Sequence, residues 1–275
     1  MSKLYIVGTP IGNLGDFSPR AVETLSEVDF IAAEDTRVTL KLLNHFGIKK
    51  PMISYFKHNV RERGEQIVGK ILAGETCALV TDAGMPAISD PGEDLVRLCH
   101  ENGIKVESVP GPCAFTTALA MSGFPSGRFT FEGFLSVNKP SRRQHLDELK
   151  NETRTMLFYE APHKLGATLK DMNKAFGNRE IAIVREITKL HEEVIHTTLD
   201  EAAELYGDGG IKGEIVLVIK GAEVQNNEDE LTLEDAVEIA RRSVEGGVSL
   251  SEAAKEAAKL SNFKKGDIYK QLIGE

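Results

Sequence analysis

Three loops rich in glycine and proline each follow a short apolar run, and this arrangement constrains the fold more than any other feature. Lys3 to Gly8 ends in the turn residues Thr9, Pro10, Gly12 and Asn13. Thr76 to Val80 runs into Asp82–Gly92, and Lys105 to Val109 runs into Pro110–Pro112. Helical stretches lie between the runs. Ser18-Pro19 opens one with Val22, Leu25 and Val28 on a single face. Phe30 to Ala33 is a further short strand, and Thr36 to Phe46 is a helix ended by Gly47. Asn59 to Ala73 and Gly92 to Asn102 read as helices stopped by Gly74 and Gly103. Short strands alternating with helices of about 10–15 residues predict a parallel sheet covered on both faces. Ligands of such sheets bind outside the carboxyl ends of the strands, so all three loops are expected on one binding edge.

The second half reads differently. Strands are expected at Arg128–Gly133, Thr155–Tyr159, Glu180–Val184, Glu193–Leu199 and Glu214–Ile219, with helices near Ser141–Lys150 and Pro162–Ala175. No helix fits between Arg185 and Glu193, so some of these strands must be antiparallel neighbours, which makes the second sheet mixed. The polar stretch AEVQNNEDE between Gly221 and Glu230 reads as a linker. Three amphipathic helices follow, near Leu233–Glu245, Leu250–Leu260 and Lys264–Ile273, in a helix-turn-helix-like order. The expected organisation is an α/β domain over 1–120, a second α/β domain over 121–222, an acidic linker over 223–232 and a helical tail over 233–275.

The 275 residues carry 33 Lys plus Arg against 42 Asp plus Glu, a net charge of −9. Taken whole, that charge opposes indiscriminate nucleic-acid binding. It is unevenly placed, however: residues 1–222 carry −4, residues 223–238 carry −7, and residues 239–275 carry +2. Cys77, Cys99 and Cys113 are odd in number and lack CxxC spacing, so buried thiols are expected rather than a disulfide or zinc site. No apolar stretch is long enough to cross a bilayer and the start does not read as a signal peptide, so the expected compartment is the cytoplasm.

The loop GTPIGNLGD (8–16) lacks the GxGxxG spacing and the GK[ST] ending of phosphate loops, and Pro10 removes a backbone donor. Its expected ligand is therefore not a polyphosphate, although a plain tight turn fits equally. TDAGMPAISDPG (81–92) holds Asp82 and Asp90, which read as turn caps or metal ligands, but no familiar metal spacing surrounds them. VPGPCAFTTA (109–118) ends a strand and starts a helix whose first-turn N–H groups suit a carboxylate.

Eight motifs in order span the chain: VGTPIGNLGD, AAEDTR (32–37), LVTDAGMPAISDPG, VPGPCA, FEGFL (131–135), FYEAPHK (158–164), REITKLHEE (185–193) and GEIVLVI (213–219). Together they resemble the tetrapyrrole methylase superfamily of S-adenosylmethionine-dependent enzymes. Within it they resemble the branch that methylates the 2′-hydroxyl of a cytidine in the decoding region of small-subunit ribosomal RNA. The resemblance implies a cleft between two α/β domains that holds the cofactor. It implies contacts from Thr9, Pro10, Asp82, Gly84, Met85, Ile88, Cys113 and Ala114, and from Tyr159 to Ala161. It also implies a homodimer; no metal ligands are assigned, since the residues themselves show no familiar metal spacing. The cobalamin and siroheme branches carry Gly-Asp-Pro where this chain has Ala83-Gly84-Met85-Pro86, which speaks against a tetrapyrrole substrate.

Transfer from a sulfonium to a ribose hydroxyl needs alignment and is helped by a general base. Glu160 and Glu34 are the first candidates, with Asp35 and Glu186 as further carboxylates and Lys189 if burial lowers its pKa. The alternative for AAEDTR is a helix start in which Glu34, Asp35 and Arg37 pair structurally. An RNA partner needs cations and rings to stack upon. Lys57, Arg61, Arg63, Arg142, Arg143, Lys164, Lys189, Lys264 and Lys265 are the candidate cations, and Phe56, Phe134 and Tyr159 the candidate rings; Phe129 and Phe131 read as core. Two other readings compete: a small-molecule methylase of the same superfamily, and a metabolite-sensing helix-turn-helix regulator. The regulator is disfavoured because Lys264–Ile273 offers no array of side chains for base edges.

Overall fold

The computed structural model describes residues 2–207, 211–223, 231–261 and 263–274. Residues 1–222 form one compact unit and 223–275 a second. Most of the acidic stretch expected as a linker lies outside the described residues.

The first sheet holds β1 (Lys3–Val7), β2 (Phe30–Ala33), β3 (Met52–Ser54), β4 (Cys77–Val80) and β5 (Lys105–Val109) in the order β3-β2-β4-β1-β5, every pair parallel. Helices α1 (Pro19–Glu27), α2 (Thr36–His45), α3 (Val60–Leu72) and α4 (Glu93–Glu101) cover it. Ser18 caps α1 by accepting from Ala21 N with Pro19 at the first turn, and Asp35 caps α2 by accepting from Arg37 N. Ala21, Leu25 and Leu43 pack with Val7, Ile31 and Val80 on one face. Ile67, Ile71, Leu95 and Cys99 pack with Leu4, Phe30 and Leu79 on the other. The helix that follows β1 and the helix that follows β4 thus lie on opposite faces. The crevice between the carboxyl ends of these neighbouring strands is a topological switch point, where open α/β sheets take their ligands.

The second sheet holds β6 (Phe129–Phe134), β7 (Thr155–Glu160), β8 (Glu180–Arg185), β9 (Glu193–Thr198) and β10 (Ile215–Ile219) in the order β6-β7-β10-β8-β9. Only β6 and β7 run parallel; the other pairs are antiparallel, so the sheet is mixed as expected. Side chains alternate cleanly. Met156, Phe158, Ile183 and Leu217 face α6 (Lys139–Glu148), α7 (Leu165–Phe176) and α8 (Leu199–Tyr206). Leu157, Val184, Val216 and Val218 face α5 (Ala114–Ser122), the helix that leaves the first sheet. One helix therefore carries the chain from one sheet into the core of the next.

Two elements differ from the reading of the sequence. The three-residue edge strand β3, directly after Pro51, shows no apolar alternation of its own. The stretch expected as strand to Leu199 instead turns at Thr198, which caps α8 by accepting from Glu201 N. Phe129, expected in the core, is exposed. The tail contains α9 (Leu233–Glu245), α10 (Leu250–Leu260) and α11 (Lys265–Ile273) around a core of Ala236, Ala240, Ala253, Ala254, Ala257 and Ile268. Thr232 and Asp235 form a reciprocal capping box at its start.

Candidate functional site

The three glycine-proline loops do meet on one edge. Gly8 and Gly111 approach so closely that a Cβ on Gly8 would lie 2.7 Å from Gly111 Cα and from Met85 Sδ. Only glycine lets the exits of β1 and β5 converge in this way. Thr9 and Gly84 exchange backbone hydrogen bonds of 2.9 and 3.1 Å, and the buried Thr9 hydroxyl donates to Thr81 O at 3.1 Å. The loops after β1 and β4 are thereby clasped across the switch point.

Over this edge lies a cavity of about 340 Å³, within the roughly 300–1,000 Å³ usual for small-molecule sites. Gly84, Met85 and Ile88 line it from the loop after β4, and Cys113 and Ala114 from the start of α5. Tyr159, Glu160 and Ala161 close it from the end of β7. Sequence reasoning had singled out all eight. Thr9, Pro10, Asp82 and Glu34 are not in the lining; Thr9 acts as the clasp just described. Cys113, expected as a buried thiol, is only partly buried because it opens α5 at the cavity wall without a side-chain cap. Ile11, Phe134, Ile187 and Val216 add apolar surface, and Ser89, Asp90 and Glu214 add polar groups.

Backbone strain is concentrated here. Among the described residues, the non-glycine residues in the left-handed region are Ala87, Ser89, Glu186 and Thr188, at φ 65°, 66°, 52° and 65°. All four lie in two loops that line the cavity, and each such conformation costs on the order of 1–3 kcal/mol unless its surroundings enforce it. Strain of this kind accumulates at ligand sites.

The candidate bases have distinct environments. Glu160 is 7% exposed and accepts from Ala161 N at 2.7 Å and from the Thr168 hydroxyl, so both oxygens are engaged. Glu34 accepts from the Thr81 hydroxyl at 2.6 Å and from Asp82 N at 3.3 Å. Asp35 caps α2 and pairs with Arg37, whose hydrogen bonds hold its carboxyl down at about 2; it is structural. Glu186 is held below the usual carboxylate range by the backbone of Glu214 and then by Lys189. Lys189 corrects an expectation. Burial pulls its pKa down, but hydrogen bonds from its ammonium to Glu186 and Glu214, each 3.0 Å, outweigh burial and raise it. It remains a cation and is no base. Tyr159 is pushed up to about 12 by burial and stays a neutral phenol.

Sequence reasoning did not name Asp90 as a candidate base. It lines the cavity, and burial, followed by the charge of Glu34, pushes its carboxyl up to about 6 against a hydrogen bond from Thr81. Glu34, Asp82 and Asp90 face one another because β2 and β4 are sheet neighbours, although some 50 residues separate the motifs. The signal available was an Asp between a serine and Pro91 in a strained loop.

The basic candidates have different surroundings. Lys57, Arg61 and Arg143 are exposed, and Arg63 donates to Gln66 at 2.6 Å. Lys164 precedes α7 and is partly buried. Arg142 is buried, and its Nε donates to Asp171 Oδ2 at 2.7 Å, which ties α6 to α7 and removes it from the surface. Lys264 and Lys265 are exposed on the tail, with Lys265 donating to Ser251. Among the described residues no three His, Cys, Asp or Glu side chains are arranged to hold a metal ion, and no helix is long and apolar enough to cross a membrane.

Comparison with known proteins fits this geometry. The model of the tetrapyrrole (corrin/porphyrin) methylases matches residues 3–203. A protein of Synechocystis named ribosomal RNA small subunit methyltransferase I is 45% identical, over 98% of this chain and 96% of its own. A protein of that name from Thermotoga maritima is 49% identical, over 81% of this chain and all of its own. Among solved structures, the methyltransferase CobJ superposes with a TM-score of 0.60 at 17% identity, over 81% of this chain and 95% of that one. The uroporphyrin-III C-methyl transferase of Thermus thermophilus complexed with S-adenyl homocysteine gives 0.56 at 19% identity, over 80% and 97%. These two establish a shared fold. The clasped loops, the match over most of the chain and these relatives together place the chain in the tetrapyrrole (corrin/porphyrin) methylase family, among its ribosomal RNA small subunit methyltransferase I members.

Proposed function

We propose that this chain transfers a methyl group from S-adenosylmethionine to the ribose 2′-hydroxyl of a cytidine in small-subunit ribosomal RNA. The supporting observation is the mostly apolar cavity at the switch point, in a chain whose near-full-length relatives bear the name of ribosomal RNA methyltransferases. The residues present fit the cofactor. Met85, Ile88 and Ile187 provide apolar walls for an adenosyl and methionyl group, and the uncapped start of α5 suits a carboxylate. Gly84, Cys113, Ala114 and Tyr159 to Ala161 are the residues proposed to hold it. When bound, the cofactor supplies a sulfonium methyl that is already strongly electrophilic.

The protein's part is alignment and proton removal. Asp90 is proposed as the base: near 6 it is ionised at neutral pH yet more basic than an ordinary carboxylate. Burial chiefly sets that shift and the charge of Glu34 adds to it, while Glu160, with both oxygens engaged, forms wall. Thr9 and Pro10 act through the clasp, and Asp82 acts through the field it shares with Asp90. Lys57, Arg61, Arg143 and the tail lysines Lys264 and Lys265 are proposed phosphate contacts. The two sheets are proposed as two domains, the assembly as a homodimer and the compartment as the cytoplasm.

Incubation with radiolabelled S-adenosylmethionine and purified small subunits is expected to place label in ribosomal RNA. A chain that labels a tetrapyrrole and no RNA would support the small-molecule alternative instead.

A further inference from the structure

Strand β6 breaks the two-residue period of its sheet at one point. Phe131 pairs with Leu157 on β7, but Gly133 pairs with the next residue, Phe158, and Phe134 with Tyr159, so Glu132 is an inserted residue. In a regular strand Phe131 and Phe134, three positions apart, point to opposite faces. The bulge turns them to the same face, and both rings reach Tyr159, at centroid distances of 5.0 and 5.3 Å. Bulges re-aim side chains in this way and are frequent beside active sites.

The two rings then differ in fate. Phe131 is covered by Phe115, stacked at 4.3 Å with 18° between planes. Phe134 stays 60% exposed and lines the cavity. The bulge lies beside the loop after β4. Gly133 sits at φ +62°, and a Cβ there would come within 3.3 Å of Ser89 Oγ, whose own backbone is left-handed. A bulge from one sheet and a strained loop from the other thus meet beside a ring that is supported on one side and open on the other. A core phenylalanine needs neither the bulge nor the exposure.

We infer that Phe134 is the platform on which the base of the target nucleotide stacks while its ribose enters the cavity. This rests on the proposed ribosomal RNA substrate and assigns the position of its base. A nucleotide methylated inside structured RNA has to leave its stack at a cost of a few kcal/mol, and stacking on an aromatic side chain offsets that cost. The position of the ring favours the base over the donor's adenine: of the proposed donor contacts all but Ile88 are buried or partly buried, whereas Phe134 is 60% exposed.

The test uses the full chain, with Phe134→Ala, Phe134→Leu and Phe134→Trp compared with wild type. Phe134→Ala is expected to lower kcat/KM for small subunits by about 5- to 150-fold, the range for stacking one base, while calorimetry shows unchanged affinity for S-adenosylmethionine. Phe134→Trp retains activity, and Phe134→Leu, apolar but not flat, does not. Because the ring is exposed, thermal unfolding of all three stays near wild type. An active Phe134→Ala, a Leu variant equal to the Trp variant, or loss of donor affinity matching the loss of rate overturns the assignment. Wild-type protein that labels no ribosomal RNA fails at the earlier step and refutes the functional reading as well.

Discussion

The two sheets of the first unit use the same apolar residues to different ends. In the parallel sheet, Ile31, Ala32, Leu79 and Val80 are buried on both faces, and the strands are rigid rods whose carboxyl ends deliver loops to one edge. The mixed sheet is equally well buried along β7 and β10, whose ends supply Tyr159, Glu160 and Val216 to the cavity, but it adds irregularities as well: the bulge in β6 and the strained turn after β8. One sheet places the cavity by topology, which any sequence of this class shares. The other adds local departures that shape it.

Variants can break this contrast, and the largest effect belongs to the parallel edge. Gly84→Arg puts a long cation into the cavity at a backbone φ of +86°. It is expected to weaken binding of S-adenosylmethionine on the order of a hundredfold, about 2.7 kcal/mol by calorimetry. Phe158→Ala, in the fully buried face of the mixed sheet, is expected to cost about 3–5 kcal/mol of unfolding free energy. Donor affinity measured well below the transition is expected to survive it, since Phe158 faces away from the cavity.

Arg142 and Arg143 sharpen the contrast between core and substrate face on one helix. Arg142→Ala leaves Asp171 without its partner and is expected to destabilise the fold by about 1–3 kcal/mol. Arg143→Ala is expected to leave stability alone and to reduce the salt dependence of RNA binding by about one phosphate contact. Equal effects of the two on RNA binding would contradict that division.

Asp90 provides a pH test. Its carboxyl holds its proton more tightly in the folded than in the unfolded chain, so the native state binds more protons between the ordinary carboxylate value and about 6. Its contribution is therefore present at low pH and is lost as pH rises through about 6. Asp90→Asn, which carries no charge, is expected to gain thermal stability relative to wild type as pH rises through that window. It is also expected to lose the activity that depends on proton removal. A stability difference that does not vary with pH would remove the basis for Asp90 as base.

The smallest effect on donor binding is expected from the tail. A relative 49% identical is matched over its whole length by 81% of this chain, and the unmatched share is about the size of 223–275. Deleting 223–275 is expected to leave calorimetric affinity for S-adenosylmethionine unchanged while lowering methylation of small subunits. Full activity on subunits would remove Lys264 and Lys265 from the RNA contacts.

Much of this was legible in the residues because it is local. Apolar runs of four or five residues followed by Gly-Pro loops announce parallel strands and their binding edge, and Ser18-Pro19 announces a helix start. What was not legible depends on partners distant in sequence. Asp90 owes its shift first to burial and then to the charge of Glu34, which the adjacency of β2 and β4 brings near, and no local pattern records strand order. Arg142 looks like its exposed neighbour until α7 brings Asp171 against it. Lys189 invited the role of a base until Glu186 and Glu214 proved to surround it. The bulge at Glu132 had one local sign, the glycine that follows it, but the face to which Phe134 turns is set by the register with β7.

The central claim is that this cavity presents a donor methyl to a ribose hydroxyl of ribosomal RNA. The most direct test is mass spectrometry of nucleosides digested from small-subunit RNA after reaction with the protein and S-adenosylmethionine. The account predicts 2′-O-methylcytidine at a single position, absent when Gly84→Arg replaces wild type; a methylated base, or an unmodified RNA, would contradict it.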